Sequence, residues 1–364
     1  MEFIHLVKTT GSFIVNLKEM LELPEFSSDK HRIICVNKAG QDTNFEYYEG
    51  NMASAINFYT EKADMVFVHD FLMENKNWFI VKRKKLRKVV WVEWGHDLYF
   101  DITEKATSIY TFIRKIYYKI IFLIKKYKLS NVYGIGMPHI YDGLEARRLL
   151  GKKPKLFLLN YCSVNNNNNI KRVNLCNGRK IGLLVGHSAF DRENHIKILK
   201  YLNGLDCSNI KVILPLNYGS IEYRDEIVNY LKKYYKYEYE VLYDFMQFDE
   251  YWEYINKNVD IAICDATGQT GLGNLFELAE LKKKIYINKQ HVFYLRYIFE
   301  SDCVYTTDDF FSSTIEKISD CSKVGSLIDY PDDFCRVKRV VNGWKVALEE
   351  IKKETNGRNR TIKK

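Results

Sequence analysis

The chain has no long apolar run, no paired-cysteine motif and no triphosphate-binding loop, and each absence removes a class of function. No stretch of its 364 residues approaches the roughly 20 consecutive apolar residues that span a bilayer. Met1 to Val7 carries no basic leader. Any membrane contact is therefore expected to be peripheral, from the cytosolic side. The eight cysteines, Cys35, Cys162, Cys176, Cys207, Cys264, Cys303, Cys321 and Cys335, are scattered without a C-x-x-C pair. Several sit inside apolar strand-like runs, which fits buried reduced thiols in a cytosolic protein. The pattern G-x-x-x-x-G-K-[ST] is absent, and Gly268, Gly271 and Gly273 do not match G-x-G-x-x-G. Neither a P-loop NTPase nor a dinucleotide dehydrogenase is supported. No compact Asp-x-Asp follows a strand-like run, and Asp308-Asp309 and Asp332-Asp333 read as helix-start acids, so no metal site and no cofactor are expected. Sequence repeats of the solenoid kind are missing too.

What is present points to two globular domains. Hydrophobic residues make up 46% of the chain, with 27 Tyr and 21 Phe, enough to fill large cores, and the length suits two domains of ordinary size. The 55 Lys and Arg against 46 Asp and Glu leave a charge of +9, which favours phosphate-bearing partners without choosing among nucleotides, anionic lipids and nucleic acid.

Short β-branched runs alternate with longer periodic segments, the pattern of repeated βαβ units. Strands are expected at Phe3–Val7, Arg32–Val36, Met65–His69, Val89–Trp94 and Val132–Ile135, and helices near Met52–Tyr59, Thr103–Lys128 and Ile140–Leu150. The polar run Asn165–Asn169 reads as a solvated linker. Alternation then resumes through strands Ile181–Val185, Ile210–Leu214, Tyr239–Tyr243, Val259–Cys264 and Lys284–Ile287. Helices between them are expected at Asn194–Asn203, Ile221–Tyr234, Asp249–Asn256 and Leu272–Leu281, and helical spacing returns at Val337–Lys353. The domains are drawn at 1–168, 169–335 and a terminal helix and basic tail at 336–364.

In open parallel sheets ligands bind beyond the carboxyl ends of the strands, where helix N-termini present N–H groups to anions. Three junctions in the second half fit. Gly186-His187-Ser188 leads to Arg192, where Gly186 permits close backbone approach, Ser188 donates and Arg192 pairs with phosphate. Pro215-Leu216-Asn217-Tyr218-Gly219 places a ring that can stack on a base, and Asp265-Ala266-Thr267-Gly268-Gln269-Thr270-Gly271-Leu272-Gly273-Asn274 reads as a pyrophosphate cradle at a helix start, with Thr270 as donor. Ordinary strand-to-helix turns use the same residue types; it is their concentration in one domain that favours a binding site.

The run Trp91-Val92-Glu93-Trp94-Gly95-His96-Asp97-Leu98-Tyr99 resembles a W-x-x-W-G-x-D-L-Y segment, and Leu184-Val185-Gly186-His187-Ser188 resembles an L-V-G-N-S loop. Both belong to the TDP-N-acetylfucosamine:lipid II N-acetylfucosaminyltransferase (4-alpha-L-fucosyltransferase) family, glycosyltransferase family 56. The likeness continues through Asp191-Arg192, Val212-Ile213-Leu214-Pro215, Phe248-Asp249-x-Tyr251, Gln269-x-Gly271-x-Gly273, Asn288, Thr306-Thr307-Asp308-Asp309 and Gly343-Trp344. It is continuous from Ile181 to Trp344 and patchy before Lys88.

The resemblance implies a GT-B α/β fold: two Rossmann-like domains facing a cleft, with a C-terminal helix crossing back to the first. It implies a TDP-sugar in the second domain and a polyprenyl-diphosphate-linked or other glycolipid acceptor facing the first. The sugar would be N-acetylfucosamine-like, as in enterobacterial common antigen assembly. Three positions depart from the family: His187 replaces the loop Asn, His96 falls where a small residue is usual, and Glu277 where an apolar one is.

If transfer inverts configuration, a base must take the acceptor hydroxyl proton. Asp97 is the first choice and His96 the second; an Asp capping the next element is the competing account of Asp97. Strand-end His5 and His69-Asp70 are read as cleft-lining or simply structural, and Glu277 as reaching a sugar hydroxyl or lying exposed on its helix.

A basic run carries Arg83, Lys84 and Arg87, and Ile109–Leu129 adds Arg114, Lys115, Lys119 and Lys126 without an acidic residue. Ile113, Ile116, Ile120, Leu123 and Ile124 share a helical face. Such a segment suits an anionic membrane surface on the cytoplasmic face of a bacterial inner membrane. An apolar face packed on the sheet with a solvated basic back fits equally. A non-catalytic nucleotide-sugar-binding module, and a GT-B transferase using another nucleotide sugar for O-antigen, capsule or lipooligosaccharide, stay open as alternatives. No nucleic-acid partner is expected, because acidic residues intersperse the second half and no recognition motif occurs.

Overall fold

The computed structural model describes residues 1–8, 12–36, 45–71, 73–94, 98, 109–138, 140–161, 179–268, 270–291, 294, 304–321 and 336–362. The chain divides into two compact units, 1–167 with 331–364, and 168–330.

The first unit holds strands β1 (Glu2–Val7), β2 (Lys30–Val36), β3 (Glu46–Tyr48), β4 (Met65–His69), β5 (Val89–Val92), β6 (Gly134–Met137) and β7 (Lys155–Leu158), all paired in parallel in the order β3-β2-β1-β4-β5-β6-β7. Its helices are α1 (Ser12–Leu21), α2 (Met52–Lys62), α3 (Asn77–Ile80), α4 (Ile109–Leu129) and α5 (Ile140–Leu150). In the second unit β8 (Ile181–Val185), β9 (Ile210–Pro215), β10 (Glu238–Leu242), β11 (Ile261–Cys264), β12 (Lys284–Ile287) and β13 (Val304–Thr306) run parallel in the order β10-β9-β8-β11-β12-β13. Helices α6 (His195–Asn203), α7 (Ile221–Tyr234), α8 (Phe248–Asn258), α9 (Leu272–Glu280), α10 (Thr307–Phe311) and α11 (Ile315–Ser319) belong to it, and α12 (Arg336–Ile362) returns to the first unit.

Each sheet is covered on both faces, which is why the central strands read as unbroken apolar runs. β4, β5, β8 and β11 are buried at every position. In the first unit α12 supplies one of those covers. Val340, Val341, Trp344, Ala347, Leu348 and Ile351 recur at helical spacing and pack in one core with Phe3, Phe67 and Val90. Gly343 lets the helix lie against β7, since a Cβ there would stand 2.3 Å from the Leu158 carbonyl oxygen. Trp344 Nε1 donates to the Asn160 carbonyl at 2.9 Å, and Lys155 pairs with Glu350 and Glu354 on the outer side.

Most expected elements form. The strand read at Val132–Ile135 is shifted to Gly134–Met137, and the one read to Trp94 stops at Val92. The reason for the first shift is steric. Cβ atoms at Gly134 and Gly136 would stand 2.4 Å from Phe157 and 2.6 Å from Leu159 of the neighbouring chain segment, so bulk on one strand dictates glycine on the next, and glycine hides a strand from propensity. Helix α1 and the short edge strands β3, β7 and β13 had no reading. The helix expected from Thr103 begins at Ile109 in the described residues, 101–108 lying outside them. Asp308 and Asp309 do open a helix: Thr306 and Asp309 form a capping box at α10. Asp332-Asp333 lies outside the described residues. Cys35, Cys207 and Cys264 are buried and Cys321 is half-buried.

Candidate functional site

In both units the sheet order reverses beside the first strand, so the gap between β8 and β11 is where strand-end loops part and leave room for a ligand. Every described donor-site residue lies at the carboxyl end of β9, on the loops and helix starts that follow β8, β9, β11 and β12, or on α9. Two loop-to-loop pairings hold that end together. Ala189 N–H donates to the Tyr218 carbonyl and Ser220 N–H to the Ala189 carbonyl, both at 2.8 Å, while Gly268 bridges to His291.

At the centre stands His187, nearly buried. Its Nδ1 lies 2.9 Å from Glu193 Oε1, and its Nε2 lies 3.3 Å from Thr270 Oγ1 and 3.4 Å from Ser188 Oγ. The backbone makes room for the ring. Gly271, at φ +61°, caps α9, and a Cβ on it would stand 2.8 Å from His187 Nδ1. Gly186, at φ +66°, would likewise collide with His195 Nε2 at 2.6 Å. Tyr218 stands half-exposed with its ring centroid 6.1 Å from His187, placed to present a flat face to a ligand. The outcome is a small shelf of two hydroxyls, an imidazole and the N-terminus of α9 at a strand-end gap, a combination suited to an anion.

The remaining donor-site candidates divide. Arg192 is exposed and lies over the Phe190 ring at 5.0 Å. Asn217 is half-buried at the end of β9 after Pro215, and its Oδ1 has no partner among the described residues. Asn288 is engaged within the protein: its amide donates to Asp265 at 3.3 Å while its oxygen accepts from Gln290 N–H at 3.0 Å. Glu277 is buried, unlike the exposed helix carboxylate that was one of its two readings. A Cβ on Gly273 would meet nothing within 4 Å, so packing does not demand glycine there. Gln269 lies outside the described residues.

Glu193, His195 and Asp265 fall in the strand-end junctions read from the sequence and Cys264 among its buried thiols, but none was given a role in the site. Glu193 looked like an ordinary acid before a helix, and only the fold buries it. Asp265 is the hub of this end of the sheet, accepting from Thr307 Oγ1 at 2.6 Å, Lys197 Nζ at 2.7 Å and Asn194 Nδ2 at 3.2 Å. His187, Glu193 and Cys264 are the group among the described residues whose ligand atoms all lie within 4.8 Å, the set from which a zinc site can be built. Burial pushes the Cys264 thiol well above its ordinary range, which favours the protonated form.

In the first unit His96 and Asp97 lie outside the described residues. His5 and His69 do not stand alone. His5 Nδ1 and His69 Nε2 are 3.1 Å apart, His5 Nε2 and His31 Nδ1 are 3.1 Å apart, and His69 Nδ1 meets Tyr161 Oη, which also accepts from Trp94 Nε1 at 3.2 Å. Desolvation lowers all three rings, His31 to about 4 and His69 to about 3, so they are neutral in the folded protein. Asp70 follows with φ +63°, a left-handed turn that aspartate tolerates.

The basic segments meet. Arg83 lies over the Tyr127 ring at 4.8 Å and donates to Tyr127 Oη at 2.7 Å, which joins the loop before β5 to α4. Lys128 caps the C-terminal end of α3 through the Trp78 and Val81 carbonyls. Of the apolar face of α4, Ile116, Ile120 and Leu123 are exposed, at 46%, 51% and 54%, and Phe79 and Ile80 on α3 are exposed as well. Ile124 packs against the core, so the sheet accounts for part of that face and leaves Ile116, Ile120 and Leu123 uncovered. Lys84, Arg87, Lys119 and Lys126 are exposed, and Arg114 and Lys115 lie on the same helix. Among the described residues no helix is long and apolar enough to cross a membrane.

A family model described as 4-alpha-L-fucosyltransferase glycosyl transferase group 56 matches residues 37–351. No curated protein sequence matches the chain. Among solved structures, the lipopolysaccharide outer core galactosyltransferase WaaB is 12% identical at a TM-score of 0.61, over 96% of this chain and 99% of its own. Sucrose-phosphate synthase from Thermosynechococcus elongatus is 10% identical at 0.60, over 100% and 99%. UDP-GlcNAc 2-epimerase from Methanocaldococcus jannaschii is 14% identical at 0.55, over 96% and 100%. Such likeness concerns the fold, which is GT-B; that an epimerase shares it means the fold does not assign the reaction.

Proposed function

The chain belongs to the 4-alpha-L-fucosyltransferase family, glycosyl transferase group 56, and on that premise we propose that it transfers an N-acetylfucosamine-like deoxy-amino sugar from a TDP-sugar to a polyprenyl-diphosphate-linked saccharide. The second unit, drawn at 169–335, holds the donor; the first, drawn at 1–168, serves the acceptor and is joined by the terminal helix. The observation that carries the reading is the shelf of His187, Ser188, Thr270 and the N-terminus of α9 between β8 and β11. A nucleoside diphosphate brings negative charge to that shelf, and charge grows on the leaving phosphate as the glycosidic bond breaks, so groups fixed there stabilise the transition state more than the ground state.

Asp97 takes the acceptor hydroxyl proton, with His96 beside it. The exposed face of α3 and α4 with its basic rim sets the acceptor side on the anionic cytoplasmic surface of the inner membrane, where a lipid-linked acceptor is presented. Catalysis needs no metal.

Incubation of a lipid-linked saccharide with TDP-, UDP- and GDP-sugars, read by intact mass, tests this. The expected result is an added deoxy-amino sugar from the TDP donor; transfer from another donor replaces the sugar assignment, and hydrolysis or binding without transfer removes the enzyme reading of this acceptor. Turnover should persist in EDTA. Loss in chelator, restored by a divalent cation, would give His187, Glu193 and Cys264 a metal to hold. Asp97→Asn should abolish transfer at saturating donor and acceptor, and near-normal turnover would remove Asp97 as base.

A further inference from the structure

Among the described residues three other than glycine take a positive φ: Asp70 at +63°, Asn194 at +57° and Lys282 at +57°. Two of these turns have a local use. Asn194 opens α6, and its side-chain amide donates to Asp265 at 3.2 Å. Lys282 closes α9, where its own N–H and that of Lys283 return to the Ala279 and Leu278 carbonyls, each at 2.9 Å. No described helix adjoins Asp70, which follows the last residue of β4 directly while α3 starts only at Asn77. A left-handed turn at a residue with a Cβ costs free energy and persists only where the surroundings impose it. Here they do. The Asp70 N–H donates to the Val92 carbonyl at the end of β5 at 3.1 Å, the His69 ring before it is bonded to His5 and Tyr161, and the Phe71 ring after it stacks on Trp78 at 5.2 Å.

The turn also falls where a ligand is expected. β1 and β4 flank the point at which the first sheet reverses its order, so their carboxyl ends frame the ligand gap of that unit. The second unit carries an aspartate at the matching position, Asp265 directly after β11, and there the φ is not positive. Its carboxylate is taken up by Thr307, Lys197, Asn194 and Asn288, and so ties strand-end loops together. The same acid after the same strand is thus scaffold on a relaxed backbone in one unit and sits on a strained one in the other.

We infer that Asp70 is an acceptor-binding residue: fixed in its left-handed turn at the gap between β1 and β4, its carboxylate accepts a hydrogen bond from a hydroxyl of the acceptor saccharide. This rests on the acceptor assignment made above. A carboxylate repels the diphosphate of such an acceptor and takes a charge-assisted hydrogen bond from a sugar hydroxyl, so the part of the acceptor that Asp70 meets is the saccharide. Proton transfer stays with Asp97; Asp70 holds the sugar that is to react.

Steady-state transfer to the lipid-linked saccharide and thermal melting of the full chain test it together. Asp70→Asn, which keeps the size and tolerates the same turn, should raise the acceptor KM about tenfold and leave kcat and the KM for the TDP-sugar near wild type. Asp70→Gly, free of the left-handed penalty, should weaken the acceptor likewise and yet raise the melting temperature by about 2 to 4 °C. An acceptor KM unmoved by both variants, a fall in kcat alone at saturating acceptor, or a melting temperature lowered by the glycine overturns the inference. Should the wild type transfer nothing, binding of the same saccharide in phosphatidylcholine vesicles, against vesicles without it, takes the place of KM. Binding weakened about tenfold by Asp70→Asn then upholds the residue while the transfer reading fails, and no binding by the wild type, or equal binding by both proteins, overturns it.

Discussion

The two units are built on the same strand order, one three-two-one-four-five-six and the other the same with a seventh strand, yet they spend their buried polar groups differently. In the second unit the polar residues gather at the strand ends, where His187, Glu193, Thr270 and Asp265 face one gap. In the first unit three histidines run through the middle of the sheet from β2 across β1 to β4, bonded to one another and to Tyr161 beneath Trp344. The first arrangement lies at a strand-end gap and the second runs through the interior of its sheet. What the first unit offers outward is instead the exposed apolar and basic face of α3 and α4. One topology thus serves recognition by strand-end chemistry in one half and by surface in the other.

Acid should break the comparison most strongly. His5, His31 and His69 have folded values below the roughly 6.5 of an unfolded ring, so the unfolded state binds more protons between those values. Their contribution is complete above about pH 6.5 and is lost as pH falls toward 3, at up to about 1.4 kcal/mol per pH unit for each ring. The second unit holds two such rings, His195 and His291, each lowered to about 4 by burial. Urea unfolding at stepped pH, followed by amide hydrogen exchange resolved to each unit, should show the first unit losing stability faster; parallel loss would mean the histidine row contributes no more than scattered rings.

Trp344→Ala comes next. It empties a fully buried site between α12 and the first sheet and should cost about 3 to 5 kcal/mol in the first unit, with the exchange protection of the second unit unmoved. A loss in both units would tie α12 to the stability of the second unit as well.

Smaller is the effect on membrane binding. Replacing Ile120 and Leu123 by Ser should lower partition onto phosphatidylglycerol vesicles by about tenfold to a hundredfold while leaving the melting temperature alone. Salt should weaken the wild type on these vesicles. Pelleting that ignores both salt and anionic lipid would remove the surface role and leave the two units less different than they look.

The least change is expected at Gly273→Ala. With open space around it and a place in the first turn of α9, alanine there should stabilise by about 0.4 to 1 kcal/mol. If thymidine diphosphate binding falls sharply all the same, a phosphate approaches that backbone closely and Gly273 belongs to the site.

How far the sequence could be read varies by residue. Strands β1, β4 and β8 were legible because buried parallel strands are nearly all apolar, the histidines of β1 and β4 apart. Strand β6 was shifted because its glycines answer to Phe157 and Leu159, which lie some twenty residues away in the chain. The loops at Gly186 and Gly271 were legible as turns before helices, and both carry the positive φ that glycine supplies. Glu193 was not, since an acid before a helix is ordinary and nothing local says that it is buried against His187 and Cys264. His5 and His69 were noticed singly, and only strand pairing makes them neighbours.

Alternation of apolar runs and periodic segments determined, from sequence alone, two parallel α/β units and where their strand-end loops fall. Local chemistry suffices for that, because pattern and turn residues act over a few positions. Which charges are buried, which rings touch and which apolar faces stay uncovered was decided by tertiary structure: burial is a property of what packs against a residue, and the packing partners of His5, Cys264 and Trp344 come from distant parts of the chain.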